Sequence, residues 1–140
     1  MVNYWIFIAR REEGDLHEMR RVIKNGMWDF VSRDGDPKTP QYHKELNTGD
    51  FVLFYLAVNY PDGKKIEGGR SIIGKARLGS PYIIYGEYVG NDELVECFVF
   101  LLEPDTKFNK EIEPRKYGIG GHPGQMVVKI SKKDYDNIVD

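Results

Sequence analysis

Cysteine is almost missing from this chain: the one present, Cys97, sits in the apolar run ELVECFVFLL. No disulfide can form within the chain, and the expectation is a reducing, cytoplasmic setting with Cys97 as an inert core thiol. Histidine is scarce too. His17, His43 and His122 lie far apart, and none stands at a metal-ligand spacing from a cysteine or carboxylate, so neither a metal nor a cofactor is expected. Long hydrophobic runs are lacking. The longest, Phe51 to Val58, falls well short of the ~20 residues a membrane helix needs, and the apolar run Tyr4 to Ala9 is followed by Arg10 and Arg11, whereas a secretory signal carries its charges first. A membrane location and an export signal are therefore not expected.

A large excess of one charge is also absent. The formal net charge is −2 over 140 residues, which argues against a protein that grips long stretches of nucleic-acid backbone. The distribution is less even than the sum. Lys64, Lys65, Arg70, Lys75 and Arg77 crowd one stretch against a single acid, Glu67, while residues 79–100 carry acids and no Lys or Arg. Such a run reads either as a basic patch or as an ordinary solvated hairpin. There is no repeat, low-complexity tract or linker, and the length suits one domain, residues 1–140, with a core of its own.

What is present is a chain of strands with few helices. Asn3 to Ala9 is aromatic and β-branched and reads as a first strand. Asp15-Leu-His-Glu18 has the form of a capping box, and Leu16, Met19, Val22 and Ile23 then share one helical face, ended by Asn25-Gly26; the spacing predicts a helix over 15–25. Residues 33–49 should be mostly loop, with one turn around Gln41 to Glu45. FVLFYLAV reads as a central strand, apolar on both faces. Ser71 to Leu78, Tyr82 to Tyr88 and Leu94 to Leu102 follow as further strands, with Gly74 marking a bulge or a close approach. Met126 to Ile130 reads as the last strand, and Ser131 as the cap of a terminal helix. This order points to a small α+β barrel with flanking helices rather than a doubly wound sheet.

No catalytic constellation stands out. GIGGHPG, residues 118–124, lacks the Lys-Ser/Thr of a phosphate loop and the spacing of a dinucleotide turn; it is either a structural turn or a loop presenting His122. The aromatic content, 13% with nine tyrosines, is the positive signal. A base stacked on an exposed aromatic face gains ~1–3 kcal/mol. Trp28, just past the helix stop in NGMWDF, reads either as a core plug or as a wall for such a ligand.

The order of short motifs, NYWIF, a helix, GMW, GDFVLFY, SIIGKARL with SPY, then a late H..GQM before a terminal helix, resembles the EVE domain, within the PUA-like superfamily that also holds the YTH readers of methylated adenine. The resemblance covers almost the whole chain. It implies a PUA-like small mixed β-barrel, not an enzyme, that captures a modified base of DNA or RNA in an aromatic cage. It further implies a pocket formed by Trp28 and Tyr85 as walls, Arg10 and Asp29 at the base edge, and Tyr55 and His122 beside them. Arg11, Arg20, Arg21, Lys64, Lys65, Arg70 and Lys75 would then hold the flanking backbone. Two other readings stay open: a small nucleotide-handling enzyme using His122, and a protein-interaction domain.

Overall fold

The computed structural model describes residues 2–10, 16–30, 39–58, 63–87, 94–119 and 126–140; for residues 10, 81–87 and 94–97 the description is of backbone only. Arg11, Asp15, Tyr88 and His122 lie outside the described residues.

The first strand, β1 (Tyr4–Arg10), pairs in parallel with β3 (Phe51–Ala57), and β3 pairs antiparallel with β4 (Ile72–Glu87). Next to β4 runs β5 (Leu94–Pro104), then the short β2 (Met27–Asp29); on the far side of β1 lies β6 (Val127–Ile130). Sheet order is thus β2-β5-β4-β3-β1-β6. Two helices flank it, α1 (Leu16–Lys24) and α2 (Lys132–Val139).

Alternation along β1 divides the molecule into two apolar layers, because successive side chains of a strand point to opposite faces. Trp5, Phe7 and Ala9 join an inner cluster with Val52, Phe54, Leu56, Ile73 and the buried face of α1, namely Leu16, Met19 and Ile23. Tyr4, Ile6 and Ile8 join an outer cluster with Leu53, Ile72, Val128 and the α2 residues Tyr135 and Ile138. The expected central strand is therefore buried on both faces, as its unbroken apolar run requires.

Helix α1 ends where the sequence says it should. Gly26 takes φ 79, and its N–H donates to the Ile23 carbonyl. The left-handed turn sends the chain straight into β2, a strand too short to be read from its pattern, where Trp28 pairs with Phe100. Gly74 meets both of its expected roles: a register shift lies opposite it in β3, and an added Cβ would sit 2.7 Å from the Ile23 side chain of α1.

Two expectations are corrected. The segments around 71–78 and 82–88 are not separate strands; β4 runs through Ser80-Pro81, with a register shift between Leu78 and Pro81. Proline lacks a ladder donor, but a bulge tolerates that loss, so the dipeptide bends the strand without ending it. The barrel is also not closed by strand pairing: among the described residues β2 and β6 are free edges of an open sheet. The sheet nevertheless curls. Phe7 on β1 and Trp28 on β2 are four places apart in strand order, yet their ring centroids are 6.4 Å apart. The gap between the edges is filled by the 39–46 turn. Gln41 Oε1 accepts from the Met126 N–H beside β6, and the His43 ring meets Phe98 of β5 at 5.5 Å.

Just after this turn, the buried Asp50 carboxylate accepts from the Trp5 indole N–H at 2.9 Å and from the backbone N–H groups of Asn3 and Asn47, each at 3.0 Å. Three donors from the start of β1 and the turn before β3 converge on one carboxylate. Asp50→Ala should lower unfolding free energy by about 3 kcal/mol, because it strands buried donors; a denaturant midpoint shift worth under about 1 kcal/mol would contradict this role.

In the outer layer Tyr135 packs against Tyr4 and Phe51, and among the described residues its hydroxyl has no hydrogen-bond partner. Burial, reinforced by Tyr4, Asp105 and Asp136, pushes its pKa from the ordinary 10.0 up to about 12. The folded chain holds this proton more tightly than the unfolded one, so the stabilisation is intact below pH ~10 and is lost as pH rises towards about 12. Tyr135→Phe should flatten that alkaline loss in thermal unfolding followed across the same window.

Candidate functional site

Trp28 reaches the centre of the inner layer because Gly26 aims β2 along β5 and the alternation of Met27, Trp28 and Asp29 turns only the middle residue inward. Its ring packs on Phe54 at 4.9 Å and on Phe7, and it is 7% exposed. The sequence left open whether this tryptophan plugs the core or lines an open slot; in this conformation it fills the core.

The other expected pocket residues do not all gather around it. Asp29 is exposed on the opposite side of β2. Tyr55 belongs to the outer cluster, across the sheet from Trp28. The Tyr85 backbone pairs with Glu96, four residues along β5 from the Phe100 that pairs with Trp28, a separation of ~13 Å at strand rise. Arg10 ends β1 opposite Ala57. His122 and Arg11 fall outside the described residues.

Several of the expected backbone-holding cations have protein partners. Arg20 donates to the carbonyls of Ile73 and Lys110, fastening α1 to β4 and to the segment after β5. Lys75 stands 3.7 Å from Asp105, and Lys65 3.7 Å from Glu113. Arg70, at φ 57, donates to the Val58 carbonyl. Lys64 and Arg21 are exposed.

What the fold does bring together is an aromatic seam between β5 and β6. Behind it lie Trp28, Phe30 and Phe100 of the inner cluster; Phe98 and Met126 pack against that cluster from either edge, and His43 covers Phe98 edge to face. Among the described residues the turn is anchored by Leu46, buried in the inner cluster, by the Gln41 bond to Met126, by a 3.6 Å ion pair between Glu45 and Lys129, and by the contact of Tyr42 with Trp5. Tyr42 itself takes φ 59, a left-handed conformation that a bulky residue adopts only under constraint. His43 and Phe98 were not read as site residues. The only sequence signal was the turn-forming, aromatic QYHKE between two loops, which says nothing of β5 as its neighbour.

The chemistry available at the seam is stacking plus an imidazole, with no group of three or more His, Cys, Asp or Glu suited to a metal among the described residues. Trp28→Ala should cost about 3–5 kcal/mol of stability, as for a large ring lost from a packed core. His43→Ala should stay within about 0.5 kcal/mol, as for an exposed position. Chemical denaturation of both variants checks this, and a Trp28→Ala loss below about 1 kcal/mol would show that the ring is not a packing element.

No family model matches the sequence, and no curated protein does. Among solved structures the chain is similar to the crystal structure of ASCH from Zymomonas mobilis, at 14% identity and TM-score 0.59, over 98% of this chain and 94% of that one. It is similar also to the N-terminal domain of McrB from Staphylothermus marinus, at 15% identity and TM-score 0.59, over 99% of this chain and 94% of that one. At such identities the likeness speaks for the fold alone, a mixed six-stranded sheet with two helices.

Proposed function

We propose that this chain is a non-catalytic nucleic-acid-binding module of the EVE type, which captures a modified, methylated base of DNA or RNA at the seam between β5 and β6. The observation that carries the reading is the covering turn: among the described residues an aromatic interior that includes Trp28 is covered at this place by His43 and the side-chain contacts of a turn anchored at Leu46, where a continuous ladder would have sealed it. The fold shared with the ASCH and McrB N-terminal structures supports the same reading.

The proposed mechanism is exchange of one ring for another. An extruded base takes the place of His43 against Phe98 and reaches the edge of Trp28, so that stacking offsets the unstacking of the base from its own strand. The strained Tyr42 backbone lowers the free energy needed to part the turn from β5. A methyl group adds apolar surface to the base, and its burial among Phe98, Met126 and Trp28 favours the modified form by about 0.8 kcal/mol or more. Tyr55 is not part of this site, because it faces the outer layer.

The test is a binding screen of short DNA and RNA strands carrying methylated or hydroxymethylated bases against their unmodified counterparts, read by tryptophan emission. The chain has two tryptophans, and Trp5 is fully buried with its indole N–H on Asp50, so a Trp28→Phe variant assigns the change in emission to Trp28. The expected result is quenching of Trp28 by modified strands, about tenfold weaker binding of Phe98→Ala, and no weakening in His43→Ala, since the base displaces that ring. Equal binding of modified and unmodified strands, or no change in Trp28 emission, would rule out base capture here. Turnover of any nucleotide would point instead to an enzyme.

A further inference from the structure

The segment between β5 and β6 carries a feature that the seam does not use. Pro114–Tyr117 forms a single 3-10 turn locked at both ends: the Lys116 N–H donates to the Glu113 carbonyl, and the Gly118 and Ile119 N–H groups donate to Arg115 and Pro114. Gly118 takes φ 78, which closes the turn in the left-handed region. Pro114 and Ile119 are buried on either side. Of the four residues between these anchors, all exposed, Arg115, Lys116 and Tyr117 carry large side chains, and Tyr117 shows 40% of its surface to solvent. A large aromatic ring is thus held outward on a rigid loop between cations.

Two tertiary contacts place more positive charge beside it. Ile72 and Ile112 exchange backbone hydrogen bonds, which fasten the segment to the start of β4. Lys65 then pairs with Glu113, the residue that begins the turn, and Lys64 precedes it in the chain. Over residues 63–70 and 111–117 the cations are Lys64, Lys65, Arg70, Arg115 and Lys116 and the acids are Glu67, Glu111 and Glu113. These two segments therefore carry a local excess of positive charge on a chain whose net charge is −2.

From this juxtaposition we infer that Tyr117, Arg115, Lys116 and Lys64 form a rim that holds single-stranded nucleic acid, with one base stacked on Tyr117 and adjacent phosphates on the three cations. Cations alone would suit any polyanion. A flat ring fixed among them adds what a single strand has and other polyanions lack, an unpaired base with an open face. The inference rests on the nucleic-acid reading above and extends it from the captured base to the strand that carries it, since this same segment runs on to Met126 at the seam.

The experiment uses the full chain and a fluorescent unmodified single strand, with binding measured by anisotropy over a range of salt. The Arg115→Ala, Lys116→Ala double variant should bind about tenfold more weakly at low salt, and its salt slope should fall by ~1.4, for two phosphate contacts on a single strand. Tyr117→Ala should bind about tenfold more weakly at an unchanged slope, and Tyr117→Phe should restore binding, since the ring and not the hydroxyl is used. Variants that bind like the parent, with its slope, overturn the rim while leaving base capture intact. Loss of modified-base preference in Phe98→Ala but not in the Arg115, Lys116 variant supports two separate contacts. A parent that binds no strand defeats both proposals, and a parent that binds base-free polyphosphate as tightly as the oligonucleotide defeats the stacking role of Tyr117.

Discussion

The position of Phe7 is the constraint on which the rest of this structure depends. Its ring lies 5.1 Å from Phe30, 5.9 Å from Phe54, and 6.4 Å from both Trp28 and Phe100, so one side chain of β1 meets rings contributed by β2, β3, β5 and the residue after β2. A flat six-stranded sheet could not bring these strands within reach of one another. The sheet must coil, and the register shifts opposite Gly74 and before Pro81 are where it bends. Removal of these large apolar rings from water stabilises the coil, since each contributes on the order of 2–3 kcal/mol or more when fully buried.

Coiling leaves a remainder. The two edge strands approach but do not pair, and the 39–46 turn covers what lies between them with a side-chain amide, an ion pair and two ring contacts. A ladder would satisfy backbone groups in series, whereas this turn is held by side chains, with Leu46 buried in the inner cluster as its apolar anchor. The outer layer is sealed by α2, with Tyr135 and Ile138 packed down on it.

The start of β1 and the turn before β3 are fixed by polar contacts. Asp50 gathers the Trp5 indole, Asn3 and Asn47, and the Gly49 N–H donates to the Leu78 carbonyl while the Leu78 N–H donates to that of Asp50. With these parts rigid, the end at which β1 stops, β4 begins and the 114–117 turn is fastened can vary in loop chemistry without disturbing the core. A rigid base carrying exposed loops is the usual placement of binding residues. Exposed cations and the ring of Tyr117 gather there, while other cations, such as Arg20 and Lys75, hold the framework together.

Much of the scaffold was already legible in the linear pattern. The face of α1, its stop at Gly26, the doubly buried β3 and the Ser131 cap that accepts from the Asp134 N–H all follow from local rules of periodicity and capping, which act within a few residues. Strand β2 was not legible, because three residues carry no period, and neither was the continuity of β4 through Pro81, because a bulge depends on the partner strand. The site divides in the same way. An aromatic-rich chain with a tryptophan after a helix stop was evident, but Tyr55 and Trp28 proved to lie on opposite faces, a matter of register. The meeting of His43 with Phe98, and of Lys65 with Glu113, joins residues about fifty positions apart. Composition and spacing determined which segments are strands and helices and that aromatic rings are plentiful. Only the coiled sheet decided which rings are buried and which stand at the surface, because that depends on contacts between strands that no local pattern encodes.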